Sequence, residues 1–200
     1  MDAENEIKLS KDEQQLLLQI ARDSLELYAR KSERVDVTRY PLTPMLRKKC
    51  GAFVTLRKRG QLRGCIGYTK SVVSIAQAVA ENAVNAGFSD PRFAPLETDE
   101  LDDIDIEISV LLPGEEEGSP FIKVKDIAEI SIGRDGLYLE RAGARGGGLL
   151  LPQVPVEQGW DLDAYLRGLC MKAGATEGAW RNPSSRLYRF RAEVFGEVED

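Results

Sequence analysis

Two hydrophobic periods alternate along the chain. Leu16, Leu17, Ile20, Ala21, Ser24 and Tyr28 fall on one side of a 3.6-residue repeat, and Ser10 with Glu13 three residues on forms a capping box, so a helix is expected to about Arg30. Residues 34–44, with Pro41 and Pro44, read as a connecting loop with the length to close over a site; its Arg39 and Tyr40 have no assigned role. From Gly51 the period shortens to two. Gly51-Ala52-Phe53-Val54-Thr55-Leu56 opens a strand that turns near Gly60 and returns through Leu62 to Tyr68. A helix follows, beginning near Ser71, with Val72, Ile75, Ala76, Val79, Ala83 and Ala86 on its apolar face, and then a strand carrying Ile104, Ile106, Ile108, Val110 and Leu112.

The order then repeats. Gly136-Leu137-Tyr138-Leu139-Glu140 opens a second strand, Gly143 to Gly148 turn it, and Leu149-Leu150-Leu151 return. Asp161 is the expected N-cap of a helix whose apolar face carries Leu162, Tyr165, Leu166, Leu169, Cys170 and Ala173, with Gly174 as its stop. Tyr188, Phe190, Ala192 and Val194 alternate with polar residues in a last strand. The expected architecture is α+β: duplicated β-hairpin–helix–strand units, about 51–112 and 136–195, form a curved, mainly antiparallel sheet flanked by helices. They belong to one domain of 1–200 with a helix in front. Gly114 to Pro120, which includes three consecutive glutamates, is a solvated linker between the halves.

Composition narrows the function classes. With 27 Lys and Arg against 33 Asp and Glu, the net charge of −6 opposes nonspecific binding to nucleic acid or anionic membrane. Arg57-Lys58-Arg59 is a local basic run, favoured as a solvated hairpin tip. No apolar run reaches membrane-spanning length and the amino terminus is not a signal peptide, which points to a cytoplasmic protein. Cys50, Cys65 and Cys170 are odd in number and lack metal-ligand spacing, so reduced thiols are expected. The absence of histidine removes every imidazole-dependent triad, dyad or metal site within this chain.

The chemistry concentrates in Leu62-Arg63-Gly64-Cys65-Ile66-Gly67. In a regular strand Arg63, Cys65 and Gly67 share one face, a guanidinium two residues away favours a thiolate, and Gly64 and Gly67 are candidate ligand contacts beside it. The alternative is a Cys packed as a small hydrophobe, with Gly64 and Gly67 serving a bulge or a close helix contact. Ser89-Asp90-Pro91-Arg92 is a rigid loop in which Asp90 is a candidate proton acceptor for Cys65 and Arg92 a candidate ligand contact. Arg145 and Gly147 belong to a glycine-rich segment with backbone donors for an anion, although a hairpin turn is the favoured reading; neither a phosphate loop nor a dinucleotide fingerprint is present, and no cofactor is implied. The carboxylates of Asp102, Asp103, Asp105 and Glu107 read as a solvated face rather than a metal site.

The motif LRGCIG, the amphipathic stretch after it, FSDPRFAPL from Phe88 to Leu96, IEIS from Ile106 to Ser109 and GGLLLPQV from Gly147 to Val154 together resemble the AmmeMemoRadiSam system protein A family, with its AMMECR-type domain. The resemblance implies the repeat architecture above and an association with a Memo-like protein and a radical-SAM protein, without implying a reaction. Two functions remain. One is an accessory or small-ligand-binding protein that works with those partners; the other is a cysteine-dependent enzyme acting on a small anionic or carbonyl substrate in a cleft between the halves. In the enzyme reading Cys65 is nucleophile, Arg63 electrostatic stabiliser and Asp90 base.

Overall fold

The computed structural model describes residues 8–70, 72–141 and 147–198. Its elements are α1 (Lys11–Lys31), β1 (Ala52–Lys58), β2 (Gln61–Tyr68), α2 (Ile75–Phe88), β3 (Ile104–Leu111), β4 (Ile122–Lys123), β5 (Gly136–Arg141), β6 (Gly147–Leu150), the single turn α3 (Val154–Glu157), α4 (Leu162–Lys172), β7 (Ser185–Phe190) and β8 (Ala192–Gly196). The α+β class holds, and the strands divide into two four-stranded sheets, β2-β1-β3-β8 and β4-β7-β5-β6. The chain separates accordingly into two compact units, residues 1–111 with 193–200, and residues 112–192.

In the first unit α1 begins at the expected capping box: Ser10 accepts from the Glu13 N–H while the Glu13 carboxylate accepts from the Ser10 N–H. It buries Leu17, Ile20, Ala21, Ser24 and Leu25. The helix α2 starts later than the sequence pattern suggested, at the Ser74 N-cap, which leaves Val72 outside it and 59% exposed. Its alanines are buried nearly all the way round, because it packs between α1 on one side and β1 and β2 on the other. Small residues permit that double contact. The loop after α1 is not a lid: Val37 is buried, and the Tyr40 hydroxyl donates to Asp23 of α1 at 2.7 Å.

The second unit repeats the connectivity with its own core of Leu137, Leu139, Tyr165, Leu166, Leu169, Cys170 and Leu187. In both units the first hairpin strand is central, the return strand lies on one side, and the strand after the helix lies on the other. Strand register makes the correspondence specific. Leu56 faces Gly64 and Ile106, and Leu139 faces Gly148 and Leu187. A Cβ on Gly64 would lie 2.1 Å from the Ala86 carbonyl oxygen, and one on Gly148 would lie 2.4 Å from the Ala173 backbone nitrogen. Each return strand therefore has a glycine where a helix backbone presses on it. The two opening glycines, Gly51 and Gly136, do not correspond, since Gly136 occupies the register of Phe53.

Candidate functional site

The return strand β2 is not regular. Register runs Thr55 with Cys65 and Leu56 with Gly64, then jumps to Arg57 with Leu62, so Arg63 is an inserted residue, a β-bulge. The bulge overturns the face assignment drawn from simple alternation. Leu62 does not join the buried face and is 40% exposed. Arg63 leaves the strand's side-chain row and reaches Glu100, with Nε and Nη2 on the two carboxylate oxygens at 3.2 and 2.8 Å, while Nη1 donates to the Ala94 carbonyl. Lys58 adds a third contact to Glu100 at 2.9 Å. This doubly paired carboxylate, first through Arg63, is pulled down to about 2. Arg63 is thus a brace between β2 and the turn before β3, and the role of stabilising Cys65 falls elsewhere.

It falls to Arg92. Ser89 ends α2, the Leu96 N–H returns to the Gly87 carbonyl, and the Arg92 N–H closes on Asp90 Oδ1 at 3.1 Å, an Asx turn. The turn delivers Asp90, 4% exposed, to the outer edge of β2. There Asp90 Oδ2 accepts the Cys65 N–H at 2.9 Å, and Arg92 Nη2 donates to the Cys65 carbonyl at 3.4 Å. A carboxylate and a guanidinium thereby supply the pairing that a neighbouring strand would otherwise give. Arg92 Nε and Nη2 also fork onto Asp90 at 2.9 and 2.6 Å. Asp90 chiefly holds Arg92 charged, and the Cys65 sulfur contributes to the same effect.

These contacts fix the chemistry available to each group. Asp90 is held at about 2, first by the Arg92 hydrogen bonds and further by the Cys65 and Arg92 backbone donors. A carboxylate so stabilised accepts a thiol proton poorly, since an ordinary thiol loses its proton near about 8.5. Asp90 touches Cys65 through its backbone N–H and serves there as a positioning group, not a base. The Thr55 hydroxyl, on a side chain almost fully buried, donates to Cys65 Sγ at 3.3 Å. Thr55 also pairs with Glu107 of β3, so a thiol, a hydroxyl and a carboxylate occupy one cross-strand row. Sequence alternation places Glu107 on this face, yet without the register nothing ties it to Cys65.

The remaining candidates separate from this row. Gly64 is the close-approach glycine under α2, and Gly67 lies against the Phe53 ring, 2.2 Å from where a Cβ would sit. Both have packing reasons. Gly147 opens β6, and a Cβ there would meet the Leu139 carbonyl at 2.2 Å; Arg145 lies outside the described residues. Cys50 is buried, donates to the Leu111 carbonyl at 2.6 Å, and is pushed up by burial to about 12. Cys170 is core, as its helix position indicated. Among the described residues no three Cys, Asp or Glu side chains are grouped to hold a metal ion, and no helix is long and apolar enough to cross a membrane. A cavity of about 990 Å³ in the first unit is bordered by Arg57, Asp105 and Glu107, on the Cys65 side of the sheet, and by Gln14, Val194 and Glu197.

Known proteins extend this description. A protein of Methanothermobacter thermautotrophicus is 45% identical over 94% of this chain and 96% of its own length, and one of Thermofilum pendens is 39% identical over 96% and 92%. The crystal structure of the uncharacterized protein PH0010 from Pyrococcus horikoshii matches with a TM-score of 0.82 at 35% identity, covering 90% of this chain and 89% of that one. The model of the AMMECR1 family matches residues 18–195, and the chain belongs to that family.

Proposed function

We propose that the chain is an accessory, ligand-binding component of an AmmeMemoRadiSam system, working in the cytoplasm with a Memo-like protein and a radical-SAM protein, and that it engages a small anionic or carbonyl-bearing ligand at Cys65. The observation that carries the reading is the Asp90–Arg92 clamp on the Cys65 backbone. It sets a guanidinium on the Cys65 carbonyl, holds it in place through a carboxylate, and leaves Arg92 41% exposed to meet an anion. The partners rest on the sequence resemblance. The absence of any imidazole in this chain favours a division of labour, with proton transfer supplied by another protein.

A second reading, a cysteine nucleophile, is favoured by one contact, the Thr55 hydroxyl donated to Cys65 Sγ. Such a donor stabilises a thiolate, as does the positive field of Arg92. The two readings part on turnover by the isolated protein.

The test is the pH dependence of thiol alkylation, mapped to each cysteine by mass, in the wild type and in Arg92→Ala and Arg63→Ala. Cys50 and Cys170 are buried and serve as unreactive internal references. Cys65 is expected to titrate below about 8.5, to shift upward in Arg92→Ala, and to stay unchanged in Arg63→Ala. An unreactive Cys65, or one indifferent to Arg92, removes the thiol site. Mixing with the Memo-like and radical-SAM proteins is then expected to protect Cys65 from alkylation; full reactivity in the mixture removes the accessory reading.

A further inference from the structure

The second unit holds a charge arrangement that plays no part in the Cys65 site. Asp135, immediately before β5, is fully buried, and three arginines converge on it. Arg134 donates from Nη2 to Oδ2 at 2.8 Å and from Nε to both oxygens at 3.3 Å, and the Ser131 N–H adds a bond to Oδ2 at 2.8 Å. These donors occupy most of what one carboxylate accepts, about four lone-pair positions. Arg189 Nη1 and Arg191 Nε stand off at 3.8 and 3.7 Å, within ion-pair range but beyond hydrogen-bond length. Glu129 is the other nearby anion, with its carboxylate 4.0 Å from Arg189 Nε.

The cluster therefore has more cation than anion, three guanidinium groups against two carboxylates, in a chain whose net charge is −6. Arg134 Nη2 reaches the Glu129 carbonyl as well, at 3.4 Å, but one donor of the cluster is unmet. Arg189 Nε is buried without a hydrogen-bond partner, an expensive condition for a charged donor. Arg134 and Arg191 are about half exposed, so the guanidinium edges that do not face Asp135 are accessible, while Asp135 holds the groups by Arg134 Nε and Nη2 and by Arg191 Nε. Buried Asp135 orients and Arg134 and Arg191 remain reachable. That combination matches an oxyanion whose oxygens take two forks at once.

We infer that Arg134, Arg189 and Arg191 form an anion subsite of the second unit that binds a phosphate group, free or borne on a small molecule. Asp135 is the positioning residue. It keeps the three side chains together against their mutual repulsion; burial pushes its carboxyl up, but the Arg134 hydrogen bonds and the Ser131 N–H together outweigh this and hold it below its ordinary range.

The experiment is calorimetric titration of the full chain with inorganic phosphate, and separately with glycerol phosphate, at constant ionic strength set by chloride. Saturable binding is expected in the wild type, weakened about tenfold or more in Arg191→Gln, the loss anticipated for one charge-assisted contact. Arg191 is half exposed and makes one ion pair at 3.7 Å, so its variant is expected to melt like the wild type. If it does not, Arg134→Gln provides the same comparison. Tighter binding of glycerol phosphate than of phosphate identifies a phosphorylated metabolite, and the reverse identifies the free ion. Absence of saturable binding, or equal affinity in wild type and a folded variant, overturns the subsite. Binding of acetate with the affinity of phosphate overturns the assigned ligand class.

Discussion

The same hairpin–helix–strand plan carries opposite chemistry in the two units. With Leu56 matched to Leu139 by register, Cys65, Thr55 and Glu107 of the first sheet correspond to Leu149, Tyr138 and Tyr188 of the second. One row offers a thiol, a hydroxyl and a carboxylate. The other is a leucine and two stacked tyrosines, with the Tyr138 and Tyr188 ring centroids 6.1 Å apart and Phe121 stacked on Tyr138 at 4.7 Å. The next pair along reverses its charge, Arg57 with Asp105 in one sheet and Glu140 with Arg186 in the other. The loops after the helices differ too. Asp90-Pro91-Arg92 clamps β2, whereas Gly174-Ala175-Thr176 offers no charged side chain to β6. Backbone register up to the Arg63 bulge and the helix-contact glycines are shared, and the row of thiol, hydroxyl and carboxylate is confined to the first copy. The plan is a scaffold, and the Cys65 row with its clamp is what one copy adds to it.

The comparison is broken most directly at its shared element. Gly64→Ala and Gly148→Ala each drive a methyl into helix backbone, which cannot swing aside as a side-chain tip can. Both are expected to lose about 3 kcal/mol, read from urea midpoints. A neutral Gly148→Ala would remove the structural equivalence of the return strands.

The clamp comes next. Asp90 has an ordinary value of 3.8 and is held at about 2 in the folded chain, so the folded state binds its proton less readily than the unfolded one. Its contribution is fully present above about pH 4 and is lost as pH falls through about 2, an amount near 2 kcal/mol. Glu100, also held at about 2, adds a second acid-sensitive term to the same unit. Asp90→Asn is expected to flatten, without abolishing, the fall in urea midpoint between pH 5 and pH 2. An unchanged acid profile in that variant would show that the clamp contributes no stability. Cys65→Ala follows at about 1 kcal/mol, mainly from leaving the buried Thr55 hydroxyl without its acceptor. A loss as large as that for Gly64→Ala would make the thiol a packing group.

Much of this fold was legible because its rules are local. Ser10 with Glu13, Asp161, and the spacing from Ile75 to Ala86 each depend on a few neighbouring residues, and the order of elements follows from them. The site was half legible. Cys65, Asp90 and Arg92 stand out by residue type and by the proline that stiffens their loop. That Arg92 reaches the Cys65 carbonyl while Arg63 is drawn to Glu100 depends on two long-range facts, the bulge at Arg63 and the return of the loop to the edge of β2. A Gly next to an Arg is compatible with a regular strand, and nothing nearby in sequence announces Glu100 as the partner that draws Arg63 out. Glu107 was visible only as a polar position, because a row across three strands is set by register and not by spacing.

The smallest expected effect is the sharpest test of that bulge. If β2 alternated regularly, Leu62 would share the face of Gly64 and Ile66, and Leu62→Asp would bury a charge at a cost of several kcal/mol. The inserted Arg63 instead turns Leu62 outward, opposite Arg57, where it is 40% exposed. The aspartate then meets water and a nearby guanidinium, and the expected change lies within about 0.5 kcal/mol. A urea midpoint close to that of the wild type places the bulge in solution. A large loss would restore regular alternation, return Arg63 to the Cys65 face, and reopen the choice of cation beside the thiol.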